Sequence, residues 1–347
     1  MSRDWDGDAS RPLGRAHWSE DLTAHDRAVL HDLDALLCET YQLWDQDWVG
    51  FSWRNYTYDH VRRVQNLALS LAAEEGGQAR ALAFAAVLHD ITKSYDGEVE
   101  LRDGQRVVDQ QGLWRNAFLP PSRTNAVTRL YERLHLAGTV HHVSGAQIAD
   151  ALLAERGYPA TFRAHVGEII VSHLKVTAAS SLEGRCLYDA DTIDANIGLP
   201  ALYRNVQISL HRLEQQSAER GTALDPDLGD QLHDLVRNYV CERWPAWVAG
   251  KQRDFVARMT TEAGRRRAQV RVERLGRVLA VMRAEVEVFD VARVTGYLAP
   301  IIYFMQHRRN PSLSADLAVL ETRWPQDSAP AAARFVELVR RESAGAI

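Results

Sequence analysis

Residues 56–93, YTYDHVRRVQNLALSLAAEEGGQARALAFAAVLHDITK, decide the fold. Val61, Val64, Leu67, Ala68, Leu71 and Ala72 recur at three- and four-residue steps, the spacing that gathers apolar side chains on one face of a helix. Thr57 stands where an N-cap is expected, and Gly76-Gly77 where a helix stops, because glycine takes the left-handed conformation without steric cost. The run 79–90 is apolar nearly all round, so it is expected as a second and buried helix. Two helices joined by a short loop lie antiparallel, and the start of the first then meets the end of the second. That brings His60 to the adjacent pair His89-Asp90.

Helical spacing extends in both directions. Upstream, Leu30, Leu33, Leu36 and Leu37 form one amphipathic face behind a polar arm over about 1–18, and Ser19 is followed three residues later by Leu22, so no capping box is expected there. Trp44, Trp48, Phe51 and Trp53 read as a hydrophobic lid packed on the core. Downstream, 94–111 breaks the pattern: Val99 and Leu101 alternate with charges, Asp103-Gly104 supplies a turn, and Val107-Val108 resume, which predicts a small β-hairpin. Helices return from about 126, through 144–155 and over 162–174. His141-His142 open the face that carries Ile148, Leu152 and Leu153, and His173 shares the inward stripe of Val166, Ile169 and Ile170. From about 227 onwards the helical spacing resumes. The expected class is all-α: a helical bundle over 51–285 with a small hairpin insertion at about 94–125, an N-terminal arm and helix over 1–50, and additional C-terminal helices over 286–347.

With 347 residues, 46% hydrophobic and 25% charged, the chain can bury a large core. Its formal net charge of −5 excludes a sequence-independent grip on nucleic acid and leaves small anionic substrates open. Cys38, Cys186 and Cys241 are far apart, so neither a disulfide framework nor a thiolate zinc site is expected. No apolar run has signal-peptide or membrane-span length, which fits a cytoplasmic protein without a membrane partner. Nothing in the pattern fixes an oligomeric state.

Asp189, Asp191 and Asp194 crowd the stretch LYDADTIDANIG, 187–198, beside apolar residues. Carboxylates next to buried surface are costly unless paired, capped or bound to a cation. In chain order His60, His89-Asp90, His141, His173 and an acid of this stretch supply imidazoles and carboxylates without thiolates. Such a set suits Mn, Fe, Co, Ni or Zn better than Ca or Mg.

Three stretches, 56–77, 82–93 and 187–198, resemble the HD superfamily of metal-dependent phosphohydrolases, named for its central His-Asp pair. A fourth, MTTEAGRRRAQVRVERL at 259–275, resembles the tail of a bacterial branch with a DAD-x-x-D element, so the resemblance covers about 56–278. It implies an all-helical HD domain and hydrolysis of phosphate esters or anhydrides, commonly of nucleotides, by a water activated at one or two divalent metal ions. By position it implies His60, His89, Asp90 and Asp191 as core ligands, Asp191 rather than Asp189 because the last ligand opens the D-x-x-D half. His141 and His173 match the further histidines of dinuclear members, with Asp90 bridging. His141 is chosen over His142 because it stands four residues before a small residue, here Gly145.

His142 is then a group behind the ligands or a substrate contact. Lys93, one turn after Asp90, is expected on a phosphate oxygen of a small phosphorylated substrate, so His89, Asp90 and Lys93 make the expected catalytic set. Arg102, Arg106, Arg115 and Arg123 on the insertion are either further phosphate clamps or a solvated loop. The same six ligands serve, in some members, a mixed-valent di-iron centre that activates O₂ and oxidises a small polar substrate. That activity is the alternative; a non-catalytic binding module is a third.

Overall fold

The computed structural model describes residues 22–50, 52–103, 105–107, 116–307 and 312–346. They form two compact units, one running up to Asp191 and including Thr260–Gly264, the other made of Thr192–Met259 and the chain from Arg265. The all-α expectation holds, with short strands at a few places. Among the described residues no helix is long and apolar enough to cross a membrane.

The first unit begins with α1 (Ala24–Tyr41), capped by Thr23. Its hydroxyl accepts the Asp26 N–H at 3.0 Å while the Asp26 carboxylate accepts the Thr23 N–H at 3.1 Å. Ser19 lies outside the described residues, and the box is built from Thr23 and Asp26 instead. Two-residue strands β1 (Trp48–Val49) and β2 (Ser52–Trp53) pair antiparallel. Of the expected lid, Trp44 and Trp53 are buried and Trp48 is half-buried, while Phe51 lies outside the described residues. The strand pair leads straight into α2 (Arg54–Glu75), which therefore starts ahead of Thr57. Trp53 is the N-cap, and Thr57 sits in the first turn with its hydroxyl donating to the Trp53 carbonyl at 3.0 Å. Gly76 ends the helix with φ +78°, a conformation that costs glycine nothing.

α3 (Ala79–Leu88) is the centre of this unit. Every residue from 81 to 88 is buried, and the helix packs against α1, α2, α5 (His141–Glu155) and α6 (Ala160–Ser172). It ends before the expected boundary, with His89 as its C-cap in helical conformation.

The insertion starts with a 3-10 turn, Lys93–Tyr95, and contains two strand pairs. β4 (Leu101–Arg102) and β5 (Gln105–Arg106) form the expected hairpin around Asp103, while β3 (Asp96–Val99) pairs with β6 (Asn116–Phe118), a closure that alternation does not reveal. Ahead of α5 lies α4 (Ala126–Arg133), capped by Asn125. The unit ends in α7 (Leu182–Asn196), which continues into the second.

In the second unit, α8 (Leu199–Glu219) is a helix that the sequence reading does not include, although Leu199, Leu202, Tyr203, Val206 and Leu210 keep helical spacing. It is followed by α9 (Leu232–Arg237), a π-helical turn at Asn238–Arg243 and α10 (Trp244–Asp254). Then come α11 (Glu262–Val286), α12 (Phe289–Thr295), α13 (Leu298–Gln306), α14 (Leu313–Arg323) and α15 (Pro330–Ser343). Tyr203, Trp244, Phe304 and Phe335 centre its core. Buried Glu342 pairs with Arg274 and accepts the Leu199 N–H at 2.6 Å, tying α15 to the start of α8.

One carboxylate gathers three elements of the first unit. Buried Asp26 accepts both guanidinium nitrogens of Arg80 at 2.9 and 3.0 Å and the Tyr158 hydroxyl at 2.9 Å. Burial pushes its pKa up, and the Arg80, Thr23 and Tyr158 hydrogen bonds more than reverse this, holding the carboxyl well below its ordinary range. A depressed folded-state pKa means stability that is present above the unfolded value and lost as pH falls. Asp26→Ala is expected to cost about 2 kcal/mol in urea unfolding at pH 7. The gap from wild type should narrow below about pH 4; an unchanged gap at pH 3 would argue against the charged pairing.

Candidate metal centre

The end of α3 carries the chemistry. His89 and Asp90 are both fully buried there, and the Tyr41 hydroxyl donates to the Asp90 carbonyl at 2.7 Å, fixing that backbone. The His89 Nδ1–H donates to the Ala86 carbonyl at 2.8 Å, and His173, the C-cap of α6, does the same to Ile170 at 2.6 Å. A carbonyl only accepts, so each ring is held as the tautomer whose Nε2 lone pair faces away. His60 lies in the second turn of α2, one turn further in than a start at Thr57 implies. Its Nε2 is 3.0 Å from Asp191 Oδ1 on α7. His141 is the first residue of α5, with its Nδ1 2.7 Å from the Asp96 carboxylate.

Four of these imidazoles surround Asp90. Its Oδ2 lies 3.7 Å from His60 Nε2 and 3.5 Å from His89 Nε2, while its Oδ1 lies 3.5 Å from His141 Nε2 and 3.6 Å from His173 Nε2. Two groups could each hold a metal ion: His60, His89 and Asp191, and Asp90, His141 and His173, the donor atoms within each lying no more than 4.8 Å apart. The Nε2 atoms of His89, His141 and His173, and Asp90 Oδ1, are buried without a hydrogen-bond partner. Orphaned buried acceptors are rare in folded proteins, and a cation among them supplies what hydrogen bonds do not. The donor chemistry therefore fits a divalent ion.

Electrostatics prepare the same state. Burial pushes the His89 pKa down and that of His173 well down, so both imidazoles are neutral near pH 7 with lone pairs available. For the acids burial acts upward and is outweighed: Lys93 and the surrounding imidazoles hold Asp90 well below the carboxylate range, and the His60 hydrogen bond helps bring Asp191 to about 2. Two buried carboxylates are thus anionic beside the neutral rings of His89 and His173.

Lys93 forms an ion pair with Asp90. His142 is buried beside the centre but outside both groups, its ring 6.1 Å from that of His141 and 6.2 Å from that of His173. Burial, then His141, brings its pKa down to about 4.

Among the acids of 187–198, Asp191 alone is in either group. Asp189 accepts the backbone N–H groups of Thr260 and Thr261, both at 2.8 Å, and their hydroxyls at 3.0 and 2.6 Å, closing the approach to α11. Of the insertion's arginines, Arg102 is exposed and Arg123 donates to the Gln42 carbonyl. The side chain of Arg106, and Arg115 altogether, lie outside the described residues.

Gly145 shows why a small residue follows His141 at that interval. A Cβ there would stand 3.3 Å from the His89 carbonyl oxygen, so glycine lets α5 close on the end of α3. Thr92 reinforces this closure, its hydroxyl 3.1 Å from the His141 carbonyl and 2.8 Å from Ser144 Oγ. Sequence reasoning missed Asp96 and Tyr41. The only signal for Asp96 is an acid in a strand, a residue type that strands disfavour.

The HD domain family model matches residues 57–196, a stretch that contains all six residues. Residues 57–196 are therefore an HD domain, as the sequence resemblance implies. A search of curated proteins returns no match. Among solved structures the chain is similar to a predicted HD superfamily hydrolase from an uncultured Thermotogales bacterium, with 22% identity over 72% of this chain and 91% of that one and a TM-score of 0.39. It is also similar to Bacillus subtilis YpgQ in complex with ADP, with 16% identity over 78% and 96% of the two chains and a TM-score of 0.34.

His89→Ala and Asp90→Ala are each expected to abolish metal uptake, because each removes a donor from the buried set, while helical circular dichroism stays near wild type. Full metal content by elemental analysis in either variant would refute the site.

Proposed function

We propose that the protein is a metal-dependent phosphohydrolase acting on a nucleotide or another small phosphate ester. The observation that carries this reading is the division of Asp90, one oxygen toward His60 and His89, the other toward His141 and His173. In it His60, His89 and Asp191 hold one divalent transition metal ion, and Asp90, His141 and His173 hold a second, with Mn or Fe favoured and Zn, Co or Ni compatible. Bound there, the ions would lower the pKa of a water and offset charge on the phosphoryl oxygens.

The protein's own groups do the rest. Neutral His89 and His173 donate lone pairs without a proton to displace. Tyr41 holds the backbone of Asp90 so that the carboxylate keeps its position between the groups. Lys93, half-buried and against Asp90, brings a positive charge to the edge of the centre, where a phosphoryl oxygen can exchange for the carboxylate as its partner. His142, with a pKa near 4, serves the substrate as an uncharged hydrogen-bonding group.

The test is anaerobic purification with metal analysis, followed by nucleotides and phosphate esters assayed with Mn, Fe and Zn. Phosphate release without O₂ uptake supports the hydrolase. O₂ uptake by an iron-loaded protein that releases no phosphate overturns it in favour of the di-iron oxygenase. Lys93→Ala should retain its metal, since an ammonium is no ligand, and lose roughly 10- to 150-fold in kcat/KM on phosphorylated substrates, the worth of a charge-assisted hydrogen bond. Wild-type kinetics would leave Lys93 as the partner of Asp90 alone.

A further inference from the structure

We infer that Asp96, supplied by the insertion and not by the helical bundle, is a positioning residue for His141. Through it the insertion sets the occupancy of the Asp90, His141 and His173 group separately from that of the His60, His89 and Asp191 group. The inference rests on the metal centre proposed above.

The imidazoles are held in different ways. His89 and His173 each follow a helix, so a carbonyl three residues back, of Ala86 or Ile170, is fixed by the helix itself and takes the Nδ1–H. His141 opens its helix instead and has no preceding turn to lean on. Its Nδ1 acceptor comes from Asp96 at 2.7 Å, and the same carboxylate oxygen accepts the His141 backbone N–H at 3.3 Å. An anionic acceptor on Nδ1 orients the ring, fixes the tautomer and makes Nε2 a stronger donor than a carbonyl does.

Asp96 is itself firmly placed. It pairs with Phe118 across β3 and β6, and it follows Tyr95, whose ring stacks on Tyr131 at 4.3 Å and whose hydroxyl is 2.9 Å from Thr128 Oγ1. Its carbonyl oxygen would lie 2.6 Å from a Cβ at Gly50, where φ is +63°, so glycine admits the strand to this position. Both partners are nearly inaccessible, with Asp96 3% and His141 7% exposed, so little water competes for the bond. The contacts of the other group run differently: His60 meets Asp191 directly, and His89 uses its own helix.

A competing role is capping, because Val140 gives α5 no side-chain cap and Asp96 reaches the His141 N–H. A cap alone would stabilise the helix without selecting one metal group. The experiment titrates the metal-free full-length protein with Co(II), following visible absorption and bound metal, for wild type, Asp96→Asn, Asp96→Ala, His141→Ala and the double variant Asp96→Ala/His141→Ala. Thermal melts of the metal-free forms report any cap contribution separately.

Two equivalents are expected in wild type. Asp96→Asn, which keeps the shape and an acceptor oxygen but loses the charge, should weaken one equivalent by about 10-fold and Asp96→Ala by about 100-fold, leaving the other unchanged. In the His141→Ala background, Asp96→Ala should have no further effect on metal binding, since the ring it positions is gone. Equal weakening of both equivalents, no weakening of either, or an additive loss in the double variant would overturn the inference while leaving the centre intact. A wild-type protein that binds one equivalent or none overturns the dinuclear reading, and this inference with it.

Discussion

The carboxylate of Asp90 is the constraint on which the first unit is built. It is fully buried at the end of a helix that is itself buried on every side, and its oxygens face opposite pairs of imidazoles. A charge in that position is tolerated only among compensating groups. The elements around it provide them: α2 brings His60, α3 ends in His89, α5 opens with His141, α6 closes with His173, and the turn after α3 returns Lys93. Helix ends converge there because the last carbonyls of a helix can accept side-chain donors, as those of Ala86 and Ile170 do.

Much of this was legible in the sequence because it rests on local periodicity. Apolar steps in 56–77 and the uniform run after Gly77 place two helices, and the loop between them dictates that His60 meets His89 and Asp90. The expectation that Thr57 caps α2 failed by a few residues because the β1–β2 pair feeds the helix directly, and hydrophobic spacing does not register a two-residue strand. Likewise the Thr23–Asp26 box is readable only by allowing Asp in place of Glu. Asp96 was beyond reach for another reason: its partner is 45 residues away, and nothing in strand alternation announces a long-range hydrogen bond.

Three acids within one turn and a half of α7 show how the fold assigns like residues to unlike tasks. Asp191 faces His60 and the centre. Asp189 is rotated by two residues along the same helix and meets the backbone of Thr260 and Thr261. The helical repeat of 3.6 residues separates them by roughly 200°, which directs two neighbouring carboxylates to opposite sides. Their crowding in the sequence therefore reflects two separate duties.

The Asp189 clamp also bears on the order in which the molecule is completed. Its donors arrive 71 and 72 residues further along the chain. A nascent chain that has just emerged past α7 holds all six side chains of the two candidate groups, yet Asp189 is without the two threonines that satisfy it. Burying that carboxylate early is costly, so α7 gains its final anchorage only after the intervening helices have been synthesised. Closing so long a loop favours slow, late docking over local assembly. The first unit is thus contiguous in its candidate ligands but discontinuous in its last fastening, which waits on residues supplied after α10.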